Sequence, residues 1–254
     1  MRSKQGTNDG PKTNEALLSA SGLTKRFGGL TAVNDVDFRL PKGQIRCLIG
    51  PNGAGKSTFL KLLTGFHTPT DGTIYYKGED ITSSHPHIRA KSGISFKFQK
   101  LSTYQDLTVE QNLRIPTQLY TDGDQLDEHI DELLELVELT DKRSMPVTNL
   151  SHGEQQWLEI AMTMGVEPEL LLLDEPTAGM TIDETEKTAG LVRDLIDEDV
   201  TVLIVEHDIN FVRGISDMVT VMHNGQIFAE GSVEEIVTHE GVKKIYLGKS
   251  VEGD

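Results

Sequence analysis

Gly50-Pro51-Asn52-Gly53-Ala54-Gly55-Lys56-Ser57-Thr58 decides how this chain is read. From Gly50 to Ser57 it spells GxxxxGK[ST], and its setting matters as much as its letters. Ahead of it, Gln44–Ile49 reads as a strand, with Ile45, Cys47 and Ile49 alternating with Arg46 and Leu48. Behind it, Ser57–Leu63 suits a helix. A glycine loop between strand and helix is the context that gives this motif its meaning. Gly50, Gly53 and Gly55, with Pro51, Asn52 and Ala54 between them, let backbone amides face inward as an anion nest. The helix start adds a positive end that suits phosphate. Lys56 is then expected at the β/γ-phosphates of a nucleotide, Ser57 on Mg²⁺, and Thr58 at the helix start beside them. Cys47, on the alternating strand, is expected to be a small core residue rather than a nucleophile.

Two later apolar runs complete the pattern. Leu170–Leu173 ends in Asp174-Glu175-Pro176, and Thr201–Val205 ends in Glu206-His207-Asp208. Short aliphatic runs of this kind read as buried parallel strands, and α/β sheets present ligand groups at the carboxyl ends of such strands. Asp174 fits a Mg²⁺ anchor and Glu175 a base that polarises an attacking water.

Around these motifs, Ala16–Ala20 and Val33–Leu40 read as strands, and Pro41-Lys42-Gly43 as the turn before Gln44. Thr73–Tyr76, Lys77-Gly78 and Ile81 suggest one hairpin. Asn224-Gly225 between Val219–Met222 and Gln226–Ala229 suggests another. Ser83–Leu107 reads as irregular. Leu126, Ile130, Leu133, Leu134 and Val137 recur at helical spacing across Asp124–Leu139. A helix follows Ser151, with Trp157, Leu158, Ala161 and Met164 near one face, and Ile182–Glu198 is another. The order argues an α/β core with a mostly parallel sheet and an antiparallel piece beside it. Residues 1–15 are polar, with nothing to bury, and read as a flexible tail; 16–254 reads as a single domain without an internal linker.

Composition narrows the class. Of 254 residues 37% are hydrophobic, 25% are charged and 24 are glycine, which excludes disorder for the bulk of the chain. The longest aliphatic runs have four residues, against ~20 for a spanning helix. The N-terminal stretch has no apolar core of a secretory signal. One cysteine allows no internal disulfide. With 24 basic and 40 acidic residues the net charge is −16, which disfavours sequence-independent nucleic-acid binding. Asp122 to Asp141 alone holds nine acidic residues and no Lys or Arg. That stretch reads as a solvated acidic face or as a face near the positive loops of a membrane partner.

Leu150-Ser151-His152-Gly153-Glu154-Gln155 closely resembles the LSGGQ signature of ATP-binding cassette proteins. The resemblance covers Ala16 to about Gly248. It implies a P-loop NTPase core, an antiparallel β subdomain, and a helical subdomain, about residues 100–165, that carries the signature. It further implies that Ser151, Gly153 and Glu154 meet the ATP of a partner subunit. Phe27 matches the aromatic that stacks on adenine, Gln99 the glutamine that senses Mg²⁺ and the membrane partner, and His207 the switch histidine at the γ-phosphate. Ser151 and Glu154 also form a capping-box pattern on their own.

The chain departs from the family pattern at three places. His152 stands where the first signature glycine is usual, Met180-Thr181 where Leu-Asp is usual, and Trp157 where many members carry a basic residue. Residues 150–160 and 175–181, with Leu63–Phe66 and Lys97–Lys100, resemble the branched-chain amino acid importer ATPases, especially their urea-uptake branch. The partners this implies are membrane permease subunits, a second ATPase subunit (a copy or a sister chain) and, indirectly, a solute-binding protein, on the cytoplasmic face of a membrane. A lipid or lipopolysaccharide exporter ATPase shares all of the catalytic motifs. A soluble cassette ATPase of DNA repair or translation would carry tandem cassettes, long coiled-coil arms or zinc cysteines.

Overall fold

The computed structural model describes residues 16–97, 102–121, 123–197 and 199–247. The expected tail at 1–15 and Gln99 lie outside them. Two sheets organise the chain. The first is antiparallel and four-stranded, in the order β2 (Leu30–Pro41), β1 (Ala16–Phe27), β4 (Asp71–Tyr76), β5 (Glu79–Asp80). The second is six-stranded, in the order β10 (Gln226–Gly231), β9 (Met218–His223), β3 (Ile45–Ile49), β8 (Thr201–Val205), β7 (Leu170–Asp174), β6 (Ile94–Lys97). From β9 to β6 it is parallel; β10 pairs antiparallel across the Asn224-Gly225 turn. β1 runs further than its alternation suggests, because register shifts between Ala20 and Arg26 absorb Gly22 in a left-handed conformation and let pairing resume.

Period two sorts the parallel strands onto two cores. Ile45, Cys47 and Ile49 of β3, Leu171 and Leu173 of β7, and Val202 and Ile204 of β8 face α5 (His152–Met164) and α6 (Ile182–Asp197). Leu48, Leu170, Leu172, Leu203 and Val205 face α1 (Lys56–Leu63) and the antiparallel sheet. Every residue of β3, β7 and β8 is buried, as a sheet covered on both faces requires. Cys47 is one of these core residues, and burial pushes its thiol up to about 12, so it packs as a small apolar group.

Two corrections follow. Ser83–Leu107 is not irregular throughout: it holds α2 (Pro86–Lys91) and the edge strand β6. The helix expected over Asp124–Leu139 is α4 (Asp124–Leu136); Glu138 takes a left-handed conformation and Leu139 N–H bonds back to Leu134 O, which ends it. The fold also contains α3 (Val109–Thr117), opened by a Thr108–Gln111 capping box, α7 (Ile209–Ile215), α8 (Val233–Thr238) and α9 (Glu240–Leu247).

The acid of α4 and the turn after it is partly spent on internal pairs. Asp127 bonds Arg114 at 2.5 Å, Asp131 bonds Arg143, and Glu138 bonds Lys187 at 2.5 Å. Both arginines converge on Glu110, at 2.8 Å from Arg114 and 2.9 Å from Arg143. Hydrogen bonds from Arg143, then Arg114, hold the Glu110 carboxyl down at about 2. Its folded value lies below the unfolded ~4.3, so its contribution is whole above the unfolded value and fades as pH falls through the folded one. Urea midpoints measured from pH 5 down to about pH 2 should therefore converge for wild type and Glu110→Gln. Parallel curves would show that this cluster contributes nothing to acid stability.

Candidate active site

Because β7, β8 and β3 are parallel neighbours, their carboxyl ends emerge side by side. Asp174 pairs with Val205 and Leu48 pairs with Val205, so Glu175, Glu206 and the loop at Gly50 leave one edge of the sheet together. The loop is built from backbone. Ala54 N–H donates to Pro51 O at 3.1 Å, and Gly225 N–H donates to Ala54 O at 3.0 Å. Gly50 and Gly55 sit at φ 151° and 102°, and a Cβ on either would strike the carbonyl of Met222 or Ala32. Only glycine lets the loop pass so close to its neighbours. Gly55 opens α1 with no side-chain cap and no acid in the first turn, so the positive helix end is left to a ligand anion.

Lys56 is buried, and its Nζ donates to Gly50 O at 2.7 Å and Pro51 O at 3.3 Å, which curls the ammonium over the loop. The resulting cleft, about 560 Å³, is lined by Leu30–Ala32, Asn52–Thr58, Glu175 and Asn224-Gly225. Asp174 is buried beside it. Burial, then the charge of Glu175, raises its carboxyl above the ordinary range, while the Ser57 hydroxyl, Lys61 and Lys56 pull the other way. A buried carboxylate hydrogen-bonded by a hydroxyl is an oxygen donor pair that fits Mg²⁺.

Glu175 is itself strained, at φ 49°, and its N–H donates to Val205 O at 2.9 Å. Non-glycine residues hold such a backbone only where surroundings impose it, often at functional sites. The turn that follows is anchored by Glu206, which the motif reading passed over. Its side chain is fully buried; Oε1 accepts from Thr177 N–H at 3.1 Å and Thr177 Oγ1 at 2.5 Å, and Oε2 accepts from His207 N–H at 2.9 Å. One carboxylate thus fixes the turn after Glu175 and the histidine opposite. His207 Nδ1 lies 4.0 Å from Glu175 Oε1. A glutamate directly after a buried strand was the available signal.

Other expected residues stand apart from this cleft. Phe27, at the end of β1, pairs with Leu30, a residue of the cleft wall. The residue is 43% exposed, with Lys25 Nζ 5.1 Å from the ring centroid and the His67 ring edge-on at 5.3 Å. Ser151, Gly153 and Glu154 sit at the start of α5, and none lines the cleft of their own chain. Ser151 is the N-cap, accepting from Glu154 N–H at 3.3 Å while Glu154 Oε2 accepts from Ser151 N–H at 3.0 Å. The Glu154 carboxylate also pairs with Lys142, so its charge is committed within the chain. His152 is the first residue of the helix and takes no left-handed conformation, so Ser151 and Gly153 keep an ordinary helix start. Trp157 is buried, donating Nε1–H to Thr188 Oγ1 at 2.9 Å beneath Lys187, whose Nζ is 4.1 Å from the ring centre.

Residues 33–178 match the family model described as ABC transporter. The chain belongs to the ABC transporter ATP-binding family. It is 37% identical over 251 residues to the high-affinity branched-chain amino acid transport ATP-binding protein BraF of Pseudomonas aeruginosa, covering 92% of this chain and 98% of BraF. To the corresponding LivG protein of Escherichia coli it is 36% identical over 254 residues, covering 93% and 99%. Among solved structures it is similar to the ADP conformation of MJ1267, an ATP-binding cassette of an ABC transporter. The TM-score is 0.84 at 27% identity, over 92% of this chain and 99% of that one. Among the described residues no helix is long and apolar enough to cross a membrane.

Proposed function

We propose that this chain is the ATP-hydrolysing subunit of a branched-chain amino acid importer, seated on the cytoplasmic face of a membrane permease. One observation carries the hydrolytic part: Lys56, Ser57, Asp174, Glu175 and His207 all arise at the carboxyl edge of β3, β7 and β8. Two such chains, or this chain and a sister, would close head to tail, each ATP lying between one chain's Gly50–Thr58 loop and the other's Ser151, Gly153 and Glu154. Phosphates rest on the loop amides and the start of α1, and Lys56 turns from the loop carbonyls to the β/γ-oxygens. Glu175 takes a proton from the attacking water, held in its strained position by the turn that Glu206 anchors. His207 and Gln99 position the γ-phosphate and that water. Ser57 and Asp174 would hold Mg²⁺, with Gln99 its sensor in the family pattern, and the ion would supply neutralisation of charge building on the phosphates.

The solute follows from the relatives, whose names specify branched-chain amino acid transport. Uptake of labelled leucine and labelled urea by a strain lacking this gene tests it. Loss of leucine uptake is expected. Loss of urea uptake alone would assign the chain to the urea-uptake branch that its short motifs resemble, and unchanged uptake of both would contradict an importer for either solute.

Base selectivity should be low. Phe27 offers a ring face and no hydrogen-bonding group, and stacking is worth ~1–3 kcal/mol for any base. Discrimination needs a polar group matched to the base edge. GTP should bind within about tenfold of ATP, a gap under ~1.4 kcal/mol. Phe27→Ala should weaken both about equally, as read by competition against a fluorescent analogue. A preference for ATP beyond about a hundredfold would mean that groups other than Phe27 read adenine.

A further inference from the structure

Three positions that depart from the family pattern, His152, Trp157 and Met180, lie around one loop. His152, at the start of α5, brings its Nε2 to 3.0 Å from the Ala178 carbonyl oxygen. A carbonyl only accepts, so this nitrogen carries the proton and donates it. The loop passes close because residue 179 is glycine, at φ 78°; a Cβ there would lie 3.2 Å from the same nitrogen. One turn along the helix, the Gln156 amide nitrogen is 3.5 Å from His152 Nε2 and its Oε1 is buried without a partner. Turned over about its last bond, that amide would offer Oε1 to the same N–H. Beyond Gly179, the Trp157 indole donates to the Thr188 hydroxyl at 2.9 Å, and that hydroxyl lies 2.8 Å from Glu184 O and 3.2 Å from the Met180 sulfur.

Ala178 is not a passive anchor. Its N–H donates to Glu175 O at 3.2 Å, closing the turn that begins at Glu175. That turn is held on the core side by Glu206 through Thr177. On the other side His152 holds it to α5 through Ala178.

We infer that His152 is a positioning residue for hydrolysis, whose Nε2–H···O bond to Ala178 makes the start of α5 and the Glu175 turn move as one body. The inference rests on the proposed role of Glu175. Without this bond the Glu175 turn loses a direct hydrogen bond to the start of α5 and keeps its anchor on the Glu206 side. Misplacement of a catalytic group by about 1 Å can cost about a hundredfold in rate. His152 does not line the phosphate cleft of its own chain, and its ring is engaged by the Ala178 carbonyl, so binding of ATP to a single chain should not follow the rate.

The test is steady-state phosphate release from Mg·ATP by the full-length chain with His152 replaced by Ala, Gln or Glu. His152→Ala should lower kcat about 10- to 100-fold while KM for ATP stays within about threefold. His152→Gln, whose amide N–H can reach the same carbonyl, should recover most of the loss, and His152→Glu, which offers no proton when ionised, should not. Long-range nitrogen–proton spectra of His152 in the wild type should show Nε2 protonated. A kcat for His152→Ala within about twofold of wild type overturns the inference, as does a glutamine variant no better than alanine. Should the alanine variant fail to fold, the glutamine and glutamate variants, equal in size, decide the matter: glutamine faster than glutamate supports the inference, and equal rates overturn it. A well-folded wild type that releases no phosphate would overturn the hydrolytic assignment, and this inference with it.

Discussion

Glu175→Gln should bind ATP with near-normal affinity and hydrolyse it about 10²–10⁴-fold more slowly. The substitution removes the proton acceptor and one negative charge but no phosphate contact. The loop amides, Lys56 and the open start of α1 stay as they are. The strained backbone at 175 should persist too, because its restraints are main-chain bonds to Val205 and the Glu206 grip on Thr177. Asp174, whose carboxyl is raised in part by the charge of Glu175, should fall back toward its ordinary value in this variant. Mg·ATP should then be retained, and the closed pair of chains should persist in ATP. Calorimetry for affinity and phosphate release for turnover check both halves, and wild-type turnover would remove Glu175 from the role of base.

Lys56→Ala should behave in the opposite way. The ammonium faces the β/γ-phosphates before as well as during reaction, so its loss removes ground-state binding along with rate. Nζ also bonds two loop carbonyls, Gly50 O and Pro51 O. Its removal therefore also takes an internal tie from the loop. A loss of affinity of at least about tenfold is expected from one charge-assisted contact to phosphate, ~1.5–3 kcal/mol. Calorimetry with ATP and Mg²⁺ measures it; unchanged affinity and unchanged rate would mean that Gly50–Ser57 does not cradle phosphate.

The parts of this site that sequence reading captured are those whose chemistry is local. Strands β3, β7 and β8 announce themselves as short apolar runs because both faces of the sheet are covered. The glycine loop does so because its backbone leaves no alternative residue at 50 or 55. The helix after Ser151 does so through its capping box. What escaped was set by partners distant in the chain. β6 was hidden because it ends on a charged residue; Lys97 is buried there by pairing with Glu159 of α5 at 3.3 Å. α2 has six residues, too few to show a period, and α3 carries Pro116 in its last turn. Glu206 looks like one more acidic residue in an acidic chain until Thr177 and His207 are found on its two oxygens. His152, Trp157 and Met180 read as separate departures from a pattern, and only the packing of α5 against the loop and α6 shows them as neighbours.

Phosphate release from Mg·ATP, measured side by side with equilibrium ATP binding for wild type, Lys56→Ala and Glu175→Gln, tests the central claim most directly. Saturable release by the wild type is predicted, with binding kept and release lost in Glu175→Gln, and both lost in Lys56→Ala. Release at the wild-type rate by both variants, or none from a folded wild type that binds ATP, would contradict the claim that the carboxyl edge of this sheet hydrolyses ATP.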